Sequence, residues 1–213
     1  MPERDGRSAA ERVLQNRVAG LTAALEALPG LVGPVRTAAE AIADCYRGGG
    51  RVLVAGNGGS AAEAQHLTGE LLGRLRSDRE RDSLAAFALT ADTATLTAVA
   101  NDYGYDEVFA RQVAGLGRPG DVLVVLSASG RSANLVRAAE VAAERGLRSV
   151  GLLGRGPAPL HVAVDLAVAV PSDETATVQE CHLLLVHVLV EAVEDLLGLV
   201  GSRREQVAPP VAG

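Results

Sequence analysis

The sequence predicts an α/β protein built on a parallel β-sheet of about five strands with helices on both faces. Three observations predict it. The candidate strands are short and apolar on both faces, as strands covered on two sides must be. Helical stretches separate them, as parallel crossovers require. Two strands run into Gly- and Ser-rich turns, at 56–60 and 127–132. Ligands of such sheets bind beyond the carboxyl ends of the strands, where these turns lie.

Residues 9–29 and 34–48 have the periodicity of amphipathic helices, with the turn LPGLVGP between them. A strand follows over 51–55, then a helix from Ser60 to Leu72. RSDRERD, 76–82, reads as a charged loop, and SLAAFAL, 83–89, as the second strand. Two short helical segments follow, around Thr93–Val99 and Tyr105–Gly115. GDVLVVLSASG is a strand running into a Ser/Gly turn, and 131–145 is a helix. RSVGLLG and DLAVAVP are two more strands. Glu174–Leu197 is a long apolar helix, and the Pro-rich stretch 201–213 is expected to fray.

A chain of 213 residues is long enough for one domain with a sizeable core. Hydrophobic residues make up 48% and aromatics only 2%, so Ala, Val and Leu must build that core. A net charge of −6 gives no basic footprint for nucleic acid. The start, MPERDGRSAAERV, is charged where a signal peptide would be apolar, and no uninterrupted apolar run reaches the ~18 residues of a membrane span. Cys45 and Cys181 make neither a disulfide framework nor a C-x-x-C pair, and read as core fillers. These features predict a soluble cytoplasmic protein with no nucleic-acid or membrane partner. All 20 basic residues are arginine. Schiff-base chemistry, lysine-anchored pyridoxal phosphate and a P-loop lysine are thereby excluded.

Gly56, Gly58 and Ala61 fit the G-x-G-x-x-A spacing of a dinucleotide turn. A dinucleotide fold also wants an acidic residue about 20 positions later, at the end of the second strand. The nearest candidate, Asp92, lies well beyond that point, so the spacing argues against a dinucleotide. In the second turn, Ser127, Ser129, Ser132 and free backbone amides meet a helix N-terminus, which suits an anion. Ser129 or Ser132 could equally serve as a helix cap. On the helix after the first turn, His66 and Glu70 stand at i, i+4 and share a face. Two side chains so placed can ligate one metal, flank one substrate, or form a surface pair. In the last helix Gln179, His182 and His187 interrupt leucines and valines, where an unpartnered polar group is costly. His182 fits a core or interface histidine. His187 could pair with Glu191 at i, i+4 or act with Gln179, and periodicity does not choose.

Four stretches, VLVAGNGGSAAEAQHLTGEL, ANDYGYDEVFARQV, GDVLVVLSASGRSANLVRAA and VQECHLLLVHVL, occur in an order and spacing that resemble the phosphoheptose isomerases of the sugar isomerase (SIS) family. The resemblance runs from about residue 10 to 197. It implies a single SIS domain over 1–213, with a helical extension at 9–48 and an α/β core at 51–197. It further implies a flavodoxin-like three-layer sandwich that assembles as a homotetramer, with sites at subunit interfaces. The two N-terminal helices and the last helix would form the bundle between subunits. One Zn2+ per subunit would be held by His66, Glu70, Gln179 and His187. Sugar phosphate would be bound by Asn57, Gly58, Gly59, Ser60, Glu70, Asn101, Asp102, Ser127, Ala128, Ser129, Ser132 and Gln179. Two departures from the family pattern stand out. Ala128 occupies a position that is often threonine, and Thr177 stands where an arginine often precedes the glutamine.

The implied reaction interconverts sedoheptulose 7-phosphate and an aldoheptose 7-phosphate of the D-glycero-D-manno type through an enediol. Zinc would act as Lewis acid, and Glu70 and His187 as the general acid–base pair. Arg74, one turn beyond Glu70, is a candidate extra counter-charge. Relatives of this family include non-catalytic assembly factors that bind the replication initiator, and sugar-phosphate sensors. The presence of both Glu70 and His187 favours the enzyme.

Overall fold

The computed structural model describes residues 8–199, so the expectation for 201–213 lies outside the described residues. Helix α1 (Ala9–Ala27) opens with a capping box: Ser8 Oγ accepts the Glu11 amide at 3.2 Å, and Glu11 accepts the Ser8 amide at 2.6 Å. The expected turn at 28–34 is instead a 3-10 turn, Leu28–Leu31, feeding directly into α2 (Val32–Arg47). Pro29 fits there because the first helical positions need no N–H donor. The elements that follow are β1 (Val52–Gly56), α3 (Gly59–Leu72), β2 (Ala86–Ala88), α4 (Thr93–Tyr103), α5 (Ala110–Leu116), β3 (Val122–Ser127), α6 (Ala133–Glu144), β4 (Arg148–Leu153), α7 (Pro159–Ala163), β5 (Leu166–Ala169) and α8 (Thr175–Leu196).

The five strands form one parallel sheet in the order β2-β1-β3-β4-β5, the doubly wound order expected of a flavodoxin-like fold. Alternate residues of each strand serve two cores. Val52, Val54, Val122, Val124 and Leu126 face α2, α3 and α8, whereas Leu53, Ala55, Leu123 and Val125 face α5 and α6. These two cores make three layers, and every residue of β1 and β3 is buried.

Two further expectations need correction. The strand read over 83–89 pairs only at Ala86–Ala88, because it is an edge strand bonded on one side. The helix read over Tyr105–Gly115 divides into a 3-10 turn, Tyr105–Glu107, and α5, while α7 had no counterpart in the sequence reading. Finally, Ala9–Arg47 and Thr175–Leu196 are both long and apolar enough to cross a bilayer, although neither is an uninterrupted apolar run. In α8 the most apolar window is 50% buried in this fold, against 11% in the N-terminal stretch. One face of α8 therefore serves its own core while Leu183, Leu184 and Val188 stay exposed, and the apolarity of α1 faces outward. Both cysteines are buried and unbridged, as core fillers should be.

Candidate active site

The strand order reverses between β1 and β3, which are adjacent and pair through Gly56 opposite Leu126. Both Gly/Ser turns leave the sheet there, β1 toward α3 on one face and β3 toward α6 on the other. The crevice between such turns is where doubly wound sheets bind ligands.

The first turn carries Asn57, whose side chain is held before any ligand arrives. Its Nδ2 donates to Asn134 Oδ1 at 2.9 Å, and its Oδ1 accepts from Asn134 Nδ2 at 3.0 Å and from Tyr105 Oη at 3.1 Å. Asn134 is 2% exposed, so a buried amide at the start of α6, just past the second turn, fixes the first turn. Gly58 has φ +57°, a conformation that favours glycine. Gly59 lies under Gln179: a Cβ there would be 2.6 Å from Gln179 Nε2. That same Nε2 lies 3.4 Å from Ser60 Oγ.

In the second turn Ser127 Oγ accepts the Gly130 amide at 3.1 Å, and Ser129 Oγ accepts the Arg131 amide at 3.2 Å. Ser132 stands at the α6 N-cap but makes no side-chain capping bond, so its hydroxyl is not spent on the helix. The first amides of α6, at Ala133 and Asn134, have by position no intrahelical acceptor. Ala128 is half-buried, its carbonyl wedged against Gly154.

Helices α3 and α8 run side by side in one layer and meet through polar pairs. Gln179 faces Ser60, His182 Nδ1 lies 3.8 Å from Glu63 Oε2, and His66 Nε2 lies 2.9 Å from His187 Nε2. Glu70 Oε1 is 3.5 Å from His66 Nε2, and Glu70 Oε2 is buried without a hydrogen-bond partner. His187 thus meets His66 across the helix pair, the pairing that spacing along one helix could not select.

Among the described residues, no three His, Cys, Asp or Glu side chains already form a metal cage. The donor set nevertheless fits one zinc ion. Two imidazole nitrogens face each other, and an orphaned carboxylate oxygen lies beside them, the N and O donors that zinc accepts. Gln179 is placed elsewhere, with its amide over the first turn. It stands eight positions before His187 on α8, about 12 Å of helical rise.

The remaining expected site residues are scattered. Asn101 and Asp102 are exposed on the last turn of α4, where Asn101 Nδ2 donates to Asp102 Oδ1 at 2.8 Å. Arg74 is ion-paired with Glu80, so its charge is taken. Asp92 caps α4 by accepting the Thr95 amide at 3.2 Å, the role that leaves it no part in a dinucleotide site. Thr177 is buried in the first turn of α8, beside Arg17 of α1. Arg17 is ion-paired with Glu174 and, at 2.8 Å, with Glu180. The Thr177 hydroxyl, its amide and Arg17 together hold the Glu174 carboxyl below its usual range. A guanidinium therefore does stand at this turn, already matched by two carboxylates.

The sequence reading did not single out Tyr105, Asn134 or Glu63. Asn134 carried a weak signal, an amide in the first turn of a helix that follows a Gly/Ser turn, whereas Glu63 looked like any surface glutamate.

A family model described as SIS domain matches residues 18–154. The chain is 44% identical over 181 residues to a phosphoheptose isomerase of Akkermansia muciniphila, covering 85% of this chain and 95% of that protein. It is 54% identical over 158 residues to a phosphoheptose isomerase of Streptomyces coelicolor, covering 74% and 68%. The structure of a phosphoheptose isomerase from Francisella tularensis matches with a TM-score of 0.83 at 36% identity, over 89% of this chain and 100% of that one. With its sheet order, its paired turns and these relatives, the chain belongs to the SIS domain family and, within it, to the phosphoheptose isomerases.

Proposed function

We propose that this protein interconverts sedoheptulose 7-phosphate and an aldoheptose 7-phosphate of the D-glycero-D-manno type, using one zinc ion per subunit. As a phosphoheptose isomerase by family it is an aldose–ketose isomerase. The observation that carries the finer reading is the meeting of His66 with His187 beside the orphaned Glu70 carboxylate.

The reaction moves one proton from C1 to C2 and another between their oxygens, through an enediol. Glu70 and His187 divide these transfers, one serving carbon and the other oxygen. Glu70 suits a base because one carboxylate oxygen has no competing donor. His66, Glu70 and His187 would hold the zinc, while Gln179, which the resemblance names with them, lies against Gly59 and Ser60 and serves the crevice instead. When bound, the metal would act as Lewis acid on the sugar oxygens, offsetting several kcal/mol of developing negative charge.

The phosphate end is oriented by the turn 127–132 and the α6 N-terminus, whose amides and dipole favour a dianion without lysine. Asn57, Gly58, Gly59, Ser60 and Gln179 line the crevice between that turn and the histidines. Clamping both ends of a seven-carbon chain brings C1 and C2 to the acid–base pair.

We further propose a homotetramer. Val13, Leu14 and Val18 on α1 are more than half exposed, and Leu183, Leu184 and Val188 on α8 are exposed as well, which leaves an apolar helical surface for neighbouring copies. In that assembly outward residues such as Asn101 and Asp102 would contribute to a neighbour's crevice.

The test is metal analysis of purified protein with turnover of sedoheptulose 7-phosphate followed by NMR. The expected result is about one zinc per chain and aldose formation lowered by at least about 10³-fold in Glu70→Gln. Turnover unaffected by that substitution would remove the acid–base pair.

A further inference from the structure

We propose that His161 is a positioning residue for the sugar-phosphate seat, setting the shape of the turn 127–132 from beneath. This inference rests on the reading of that turn as the phosphate site. Of the four histidines, three lie on α3 and α8, while His161 lies on the five-residue α7 between β4 and β5.

Its ring is sandwiched between two glycines. A Cβ on Gly130 would stand 3.3 Å from Nδ1 and Cε1, and one on Gly156 would stand 2.9 Å from Cδ2 and Nε2. Nε2 lies 3.1 Å from the Gly154 carbonyl. A carbonyl only accepts, so Nε2 is the donor in this contact. Nδ1 is buried, faces the underside of the turn, and has no hydrogen-bond partner.

Gly130 is the corner of that turn, at φ +64°. Its amide is held by Ser127 Oγ, and its carbonyl accepts the Leu160 amide at 3.0 Å. The corner is therefore gripped by its own serine, by the backbone of α7, and by Ala158 and the Nδ1–Cε1 side of the His161 ring. Gly154, which fixes that ring, itself donates its amide to the Ser127 carbonyl at 3.3 Å. The β4–α7 connection thus closes a loop of contacts around the turn.

A turn held open before the ligand arrives spends less of its binding energy on ordering. The effect of His161 belongs to phosphate binding, and the histidine and glutamate groups on α3 and α8 do not depend on it. A residue that merely filled the core would, on removal, lower thermal stability without separating KM from kcat.

The test compares His161→Ala, His161→Gln and Ser132→Ala with the parent protein. It measures inorganic phosphate affinity by calorimetry, KM and kcat for sedoheptulose 7-phosphate, and zinc content. His161→Ala is expected to weaken phosphate binding and raise KM by the same factor, about fivefold, with kcat and zinc content unchanged. His161→Gln keeps an N–H able to reach the Gly154 carbonyl, so it should recover part of that loss; if the alanine variant does not fold, this smaller rise carries the test. Phosphate affinity unchanged in a folded His161 variant overturns the inference. If Ser132→Ala weakens phosphate binding and the His161 variants do not, only the role of His161 falls. If none of the three changes phosphate affinity, the reading of the turn falls and the inference with it.

Discussion

A methyl group on Gly59 would meet the end of the Gln179 side chain at 2.6 Å. The obstacle is a flexible amide and not backbone, so the fold can yield while the site cannot. Gly59→Ala is expected to shift Tm by only a few degrees, about 1 kcal/mol or less, yet to lower kcat/KM about tenfold or more. Thermal melts alongside steady-state kinetics check this, and full activity would remove Gln179 from the crevice. At this scale the sequence was half legible. His66 and Glu70 could be paired because helical spacing fixes the angle between side chains on one helix. The partner of His187 could not be found that way, since spacing is silent about which neighbouring helix a face meets. His161 was missed for a related reason: its helix has only five residues, too few to show a period, and its contacts are all to distant glycines.

Helices α3 and α8 are joined below the histidines by an ion pair whose partners are both 1% exposed, Arg81 Nε to Glu194 Oε1 at 2.6 Å. Arg81 also donates from Nη2 to the Glu70 carbonyl at 2.7 Å and from Nη1 to the Leu71 carbonyl at 2.9 Å. It therefore satisfies the last turn of α3 and ties it to α8 at once. Removing one partner leaves a buried charge, so Arg81→Ala should cost about 3–5 kcal/mol. Chemical denaturation measures this, and zinc content should fall with it because the Glu70 end of α3 is released. Arg81→Ala with unchanged stability would mean that the helix pair is held by its other contacts. None of this could be read from RSDRERD, where composition argues for a solvated loop. One arginine of that run is selected for burial by the carbonyls that end α3 and by a glutamate more than 100 residues away.

For the whole molecule, the sheet was legible because strands buried on both faces leave unbroken apolar runs, as VLVAG and VLVVLS do. The switch point then followed, since both turns leave adjacent strands. The assembly is the least legible part, because an apolar helix face looks alike whether it meets its own core or another copy. Replacing Val13, Leu14 and Val18 together by aspartate is expected to convert the proposed tetramer to smaller species with the sheet intact. Light scattering coupled to size exclusion, with circular dichroism as control, measures both. A mass unchanged by three such charges would move the interface elsewhere.

One half of the proposed acid–base pair sits on the helix Thr175–Leu196, the last described element of the chain. During synthesis, Glu70 therefore leaves the ribosome long before its imidazole counterpart does. The same helix closes the core over the inner faces of β1 and β3, with Val178, Cys181 and Leu185 against Val124 and Leu126. Burial of the sheet and completion of the proposed pair therefore come in one step, when α8 docks.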